Sequence, residues 1–433
     1  MIVKDVSIFT NDGSFIEKGY LKINDGTIEG VSEGTPDGTG EEEYSFPGKI
    51  LMPGLVNAHT HIYSAFSRGM PLEGFSPNTF TELLEQMWWK LDKALTMKGN
   101  ELSAYLATIE SIKAGVTTLI DHHSSPNAVK NSLDTIASAV NETGLRCSTA
   151  FEISDRNGKK IRDESIMENL RFSETKNRYR APYIGLHASF TLSDETLKLI
   201  SDANRNRIPI HVHVAEGPED EENSISVHGK RIIQRFDSFG LLVENSLLVH
   251  CIHTDESEDE VIRNNRCFVV INPQSNMNNG VGYPDWKGKQ SRGIKVCLGN
   301  DGLGFNLFTE SRFLILGMHN SKKDPNTASP MDLQKTLFGN NYQLASKIFG
   351  LKMGKIKKGY AADFALYDYD PPTTLDNENF LGHLFFGIGD NPKVTDVFVN
   401  GRPVMISGKN VLIDEEELFK ECRKYSDRLW KSL

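Results

Sequence analysis

The chain is poor in the features that would assign it quickly. No stretch approaches the roughly eighteen consecutive apolar residues of a membrane helix, so no membrane span is expected. There is no run of Lys and Arg, and the formal net charge is -10. Both argue against a nucleic-acid-binding surface, which needs a basic stripe. The five cysteines, Cys147, Cys251, Cys267, Cys297 and Cys422, include no C-x-x-C, which excludes a cysteine-based zinc site of that spacing. Scattered and odd in number, with three in apolar runs, they read as buried free thiols suited to a reducing compartment. No G-x-G-x-x-G follows a strand, which counts against an open dinucleotide-binding sheet. The start, Met1-Ile-Val-Lys-Asp-Val-Ser-Ile-Phe9, lacks a charged segment followed by an apolar one, so a cytoplasmic protein is expected.

What is present is a globular composition, 38% hydrophobic and 24% charged, over 433 residues. That length exceeds what one core usually organises. Residues 1–50 read as short strands, Val3–Phe9, Gly19–Ile23 and Thr27–Val31, with a hairpin turn at Asn24-Asp25-Gly26. Gly34–Glu43 reads as a surface loop. From residue 51 short apolar runs alternate with helical stretches. Strands are expected at Leu51–Ala58, Val116–Asp121, Leu145–Glu152, Tyr183–Ala188, Ile208–Val214, Leu247–Ile252, Cys267–Asn272 and Ile294–Gly299. Helices are expected at Thr81–Leu95, Glu101–Ala114, Asp194–Asn204, Lys230–Phe239 and Met331–Phe349. Eight such units predict an α/β fold, a (β/α)8 TIM barrel over 51–352; an open doubly wound sheet is the runner-up. Strands return at Ala362–Tyr367 and Val394–Gly401, and an amphipathic helix closes the chain over Glu415–Leu433. Strands at both ends predict a small β-sandwich domain made from 1–50 together with 353–433.

Active sites of such barrels lie at the C-terminal strand ends. Nine of the twelve histidines fall there: His59 and His61, His122 and His123, His187, His211 and His213, His250 and His253. Glu216 follows His213, and Asp301 follows the eighth strand. His59, His61, His213 and Asp301 can supply three nitrogens and one oxygen to a single divalent metal, Zn or Fe. Such a metal lowers the pKa of a bound water toward neutrality. Glu216 is placed to accept that water's proton, and His250 to hydrogen-bond the hydroxide or a developing oxyanion. Each residue also has an ordinary reading. H-x-H pairs occur by accident on surface strands, a lone strand histidine is usually a satisfied core residue, and Asp301 in Leu-Gly-Asn-Asp-Gly suits a turn. Their concentration on one face favours the site. His122 and His123 cannot both face inward, and His211 is expected one layer below the ligands.

The motifs Pro53-Gly-Leu-Val-Asn-Ala-His-Thr-His61, His213-Val-Ala-Glu216, His250, Pro273-Gln-Ser-Asn276 and Gly299-Asn-Asp-Gly302 make the chain resemble the amidohydrolase superfamily. The likeness is to its aminohydrolase branch of deaminases and dechlorinases, and Gly354–Asp363 resembles the signature of that branch's terminal β-sandwich. Asn300 departs from the usual Thr or Ser before the aspartate. A closer resemblance, to the SsnA group of aminohydrolases, rests on Ser67-Arg-Gly-Met70, Trp88-Trp-Lys-Leu-Asp92, Ile120–Pro126, Asp155-Arg-Asn157, His187–Thr191 and Ser275–Asn279. The resemblance implies one metal held by His59, His61, His213 and Asp301, Glu216 as proton shuttle and His250 as orienting group. Strand four ends without the lysine that two-metal relatives use as a bridging carbamate. The P-C-x-x-C of base-editing zinc deaminases is also missing.

The expected activity is a hydrolytic deaminase of an amino-substituted heterocycle such as a purine or pterin, releasing ammonia. In it His250 and Asp301 stabilise the tetrahedral species. Hydrolysis of a cyclic amide or other C–N bond at the same centre is the alternative, and a non-catalytic metal-binding protein the rival from another class. His187, Arg68, Trp88, Trp89, Asp92 and Asn276 are the candidate substrate contacts; Trp88-Trp89 can equally serve helix packing rather than a lid. Homo-oligomers are common in the family, but no sequence feature fixes the state.

Overall fold

Half-covered strands open the chain. In a computed structural model, which describes residues 1–36 and 42–433, β1 (Ile2–Phe9) pairs antiparallel with β2 (Phe15–Asn24), and β2 with β3 (Thr27–Glu33). The predicted hairpin turn is there: Asp25 and Gly26 have φ of 44° and 72°, the left-handed pair that a tight hairpin needs. Half of the loop expected over Gly34–Glu43, residues 37–41, lies outside the described residues. The short β4 (Glu43–Ser45) and β5 (Lys49–Pro53) then run parallel to β1.

The single strand expected over Leu51–Ala58 is two strands in different sheets. β5 ends at Pro53, and β6 (Leu55–Thr60) begins after Gly54. The Gly54 amide donates to Asp363 O (3.1 Å) on one side of the crossing, and the Leu55 amide to Gly115 O (2.9 Å) on the other. A Cβ on Gly54 would lie 2.2 Å from the Thr117 side chain, so only glycine lets the backbones approach this closely. Apolar residues flank Gly54 on both sides, so periodicity carries no sign of the break.

From β6 to residue 298 most of the strands are buried along their whole length, as parallel strands covered by helices are. β6 pairs with β7 (Val116–His123), β7 with β8 (Arg146–Phe151) and β8 with β9 (Arg180–Pro182), all parallel. A second parallel sheet runs β10 (Ile184–Ala188), β11 (Ile210–Val214), β12 (Leu247–His250), β13 (Phe268–Ile271), β14 (Lys295–Leu298). Isolated parallel bridges, Ile153 with Leu186 and Thr60 with Asp301, lie between the two sheets at their edges. Each expected strand has a counterpart here with its ends moved by a few residues. β9 was not expected; it separates the Tyr183–Ala188 run from β8.

After β14 come helical segments through Phe349, and then β15 (Phe364–Asp368), β16 (Val394–Val399), β17 (Arg402–Ile406) and β18 (Lys409–Asn410). β15 pairs antiparallel with β5. Strands from the two ends of the chain thus share one nine-stranded sheet, ordered β18-β17-β16-β15-β5-β1-β2-β3 with β4 beside β1. Val3, Leu21, Ile28, Leu51, Phe364 and Phe398 form its buried core. The last helix, Glu415–Trp430, is capped by Asp414 and buries Leu418, Cys422, Tyr425 and Leu429 in a cluster with Leu102 and Ile109 of the helix Met97–Lys113. All five cysteines are free and buried. No helix among the described residues is long and apolar enough to cross a membrane.

Candidate metal centre and its cavity

β6 carries His59 and His61 two residues apart, so both project from one face. β11 carries His213, and Asp301 follows β14. One donor atom from each of these four residues lies within 4.8 Å of the others. His59 Nε2 and His61 Nε2 are each 3.1 Å from Asp301 Oδ1, and the Nε2 atoms of His61 and His213 are 3.2 Å apart. The outer nitrogens explain the orientation. His61 Nδ1 donates to His122 O (2.6 Å), and His213 Nδ1 to His187 O (2.7 Å). Neutral imidazoles tied down at Nδ1 turn their Nε2 lone pairs on one another and on a carboxylate. A convergence of acceptors in a buried place is the arrangement a cation satisfies, so the donor set fits a divalent metal.

Burial lowers the pKa of His59 to about 3 and of His213 to about 4. Burial opposes charge on His61 and on Asp301 too, but the closeness of the carboxylate, first to the His59 ring and then to the His61 ring, outweighs it. His61 is raised, and Asp301 lies well below the carboxylate range. His211 Nε2 sits 2.8 Å from His59 Nδ1, touching a member of the set from beneath. The ring of His122 packs 4.6 Å from that of His213, whereas His123 turns to the Ser125 hydroxyl (2.8 Å); the two neighbours do face different ways. Ala215, His250, Cys251 and Asp301 all have φ between 46° and 72°. Such non-glycine conformations are costly and gather at functional sites.

Glu216, His250 and Asp301 form a second group within 4.8 Å. His250 Nε2 is 3.2 Å from Glu216 Oε2 and has no hydrogen bond of its own. Asn276 Nδ2 donates to His250 Nδ1 (2.8 Å), which leaves the ring proton on Nε2, toward Glu216. Asn279 Nδ2 donates to Glu216 Oε1 (3.2 Å), and Ser275 Oγ to Asp301 Oδ2 (2.5 Å). Burial, then the Asp301 charge, push the Glu216 carboxyl well above its ordinary range.

Above these groups lies a cavity of about 60 Å³, with Trp88, Trp89, Asp92, Glu152, His187 and Glu216 among its walls. Phe80, Trp88, Asn279 and Gly302 also border an outer cavity of about 970 Å³. Trp88 and Trp89 come from the helical segment Phe80–Ala94, whose middle, Leu84–Trp88, is a π-turn. Arg68 borders only the outer cavity, where Glu110 holds its guanidinium through both oxygens. Asn276 is buried behind His250 rather than on the wall. Asp92 is on the wall but engaged: its Oδ2 accepts from Ser124 Oγ (2.9 Å) and from Arg156. Arg156 also holds Glu152 through Nε (3.2 Å) and Nη2 (2.6 Å), and its guanidinium lies 4.9 Å from the Trp89 ring. The motifs Trp88–Asp92, Ile120–Pro126 and Asp155–Asn157 therefore meet in one buried ionic network beside the cavity. Sequence reasoning missed Glu152, Asn279 and Ser275. Glu152 ends a strand run just as the histidines do, but a glutamate in that place does not by itself stand out from a solvated loop acid.

The model of the amidohydrolase family matches residues 50–404. The 5-methylthioadenosine/S-adenosylhomocysteine deaminase of Halalkalibacterium halodurans is 29% identical over 100% of this chain and 99% of its own. The 5'-deoxyadenosine deaminase of Methanococcus maripaludis is 30% identical over 97% of each chain. Among solved structures, a zinc-bound adenosine deaminase from Xanthomonas campestris superposes with a TM-score of 0.84 at 21% identity, over 99% of this chain and 98% of that one. That likeness is one of fold, a TIM-barrel-type α/β architecture.

Proposed function

The chain belongs to the amidohydrolase family, and from that premise we propose that it is a metal-dependent hydrolytic deaminase of an amino-substituted heterocycle, a purine, pterin or related ring. The observation that carries the reading is the union of two clusters at one cavity floor: the four-donor set, and the Glu216–His250–Asp301 group. The names of the relatives, deaminases of adenosine derivatives, support the ring class. His59, His61, His213 and Asp301 would hold one divalent cation, zinc by the preference of imidazole and carboxylate donors, with iron the alternative. When bound, the cation supplies Lewis acidity and brings the pKa of a coordinated water toward about 7.

The protein's own groups handle the protons. In the net reaction water adds its oxygen to the amino-bearing carbon, the C–N bond breaks, ammonia leaves and an oxo ring remains. Glu216 takes a proton from the attacking water, delivers it to the ring nitrogen, and moves the next to the leaving amine. Its raised pKa suits a carboxyl that must hold a proton between transfers. His250, with its proton on Nε2, donates to the oxygen that gains charge at the reacting carbon. Asn276 fixes that tautomer and Asn279 fixes the Glu216 rotamer. Trp88 and Trp89 offer flat apolar surface to the ring.

The two parallel sheets are read as the halves of a closed eight-stranded barrel, with β9 and β10 taken together as one strand interrupted at Tyr183, and the bridges at both seams support this. The nine-stranded sheet is read as the composite domain of residues 1–50 and 353–433. The free thiols support a cytoplasmic setting. The test is ammonia release from a panel of amino-purines, pterins and pyrimidines, with metal content measured alongside. Wild-type protein is expected to carry about one Zn or Fe per chain. Glu216→Gln is expected to keep that metal and lose at least about 1,000-fold in kcat; full activity in this variant overturns the mechanism.

A further inference from the structure

Glu152 has one oxygen with nothing to do. Its Oε1 accepts from Arg156 Nε and Nη2, while among the described residues no donor reaches Oε2, although the side chain is only 5% exposed and stands on the cavity wall. His187, on the neighbouring strand, shows the same polarity. Its Nδ1 donates to Thr191 Oγ1 (2.8 Å), whose own proton goes to Ala188 O (3.0 Å). That leaves the His187 Nε2 lone pair for the cavity. Asp92 and Glu152 share one guanidinium, so this wall keeps an uncompensated negative charge. Both acceptors face the cavity with no donor among the described residues, so they are available to N–H groups that a ligand brings.

We propose that Glu152, with His187 beside it, is a specificity-determining residue that selects heterocycles presenting N–H donors on the edge turned away from Glu216. The inference rests on the reading of the cavity as a ring-binding site and deepens it. A site built to accept from a substrate N–H discriminates strongly against an analogue without it, because its own groups are then left unpaired. The Arg156 grip makes the substitution Glu152→Gln informative. Arg156 claims the side-chain oxygen, so the amide NH2 of the variant faces the cavity and an acceptor becomes a donor.

The experiment uses the purified, metal-loaded full chain and two matched pairs, guanine with 9-methylguanine and adenine with 9-methyladenine. The quantity read is the ratio of N–H to N-methyl ligand in kcat/KM, and in Kd by calorimetry. In wild-type protein at least one pair is expected to show a ratio of about 10-fold or more. In Glu152→Gln the same ratio is expected to fall to about one or invert, with metal content unchanged. His187→Gln should lower it too, and serves if the first variant folds poorly. Equal loss on both members of a pair would make Glu152 a brace for Arg156 and overturn the proposal, as would a ratio that does not move. The Kd arm keeps this separate from the deaminase reading. A wild type that binds these rings with the stated ratio yet releases no ammonia overturns the activity and leaves the wall's selectivity standing.

Discussion

Buried carboxyls give single residues a hold on the pH response of the whole protein. Glu221 is buried beside Glu258, with Arg231 serving both. Burial and the Glu258 charge push its pKa from 4.5 up to about 8, against the pull of Arg231. The folded state therefore holds a proton between those values that the unfolded chain has released. By linkage this contribution to stability is intact below about pH 4.5 and is lost as pH rises toward 8. Glu221→Gln is expected to gain on the order of 1 kcal/mol relative to wild type at pH 8 and little at pH 4.5, read as the difference between the two Tm-against-pH curves. At this scale the convergence of His59, His61, His213 and Asp301 was legible in the sequence because an imidazole inside an apolar run is conspicuous. Glu152 was not, because a glutamate just past a strand is ordinary loop grammar. Only the fold, by bringing Arg156 beneath it and Asp92 across from it, distinguishes it from a solvated acid.

Elements were legible where one sheet owned one apolar run, as at β11 and β13, and illegible where two sheets divided one. At Leu51–Ala58 the decisive fact is a contact between Gly54 and Thr117, which no local period records. Gly54→Ala is expected to cost about 1–3 kcal/mol by overpacking, seen as a lower midpoint in urea. Because β6 begins one residue later, the same variant is expected to bind metal less tightly, by analysis of metal retained against a chelator. The helix expected over Thr81–Leu95 is present, but its π-turn at Leu84–Trp88 is a matter of hydrogen-bond register that residue types do not dictate. Such turns are frequent at functional sites, and this one brings Trp88 and Trp89 together to the cavity.

Across the whole molecule, one buried ion pair joins the nine-stranded sheet to the parallel strands. Arg146 of β8 is fully buried. It donates from Nε to Asp363 Oδ2 (3.0 Å) and from Nη2 to Asp363 Oδ1 (3.1 Å), and the Asn400 amide donates to the same carboxylate (2.6 Å). The run Gly354–Asp363 was legible as a terminal-sheet motif by resemblance; the partner was not, since Arg146 lies far away in an apolar strand. Asp363→Asn leaves a guanidinium buried without its counter-charge and is expected to cost about 3–5 kcal/mol. If the sheet and the parallel strands unfold as one unit, a single calorimetric transition moves down. Two transitions, with only one displaced, would show that they unfold independently.

β5 has β1 on one side and β15 on the other, and β15 emerges from the ribosome roughly three hundred residues after β5. At about 5–20 residues per second, one edge of β5 waits some 15–60 s for its partner. During that interval the strand that leads directly into His59 and His61 is an open template for any neighbouring chain. Yield in the cell should then depend on what shelters that edge during synthesis as much as on the stability of the finished fold.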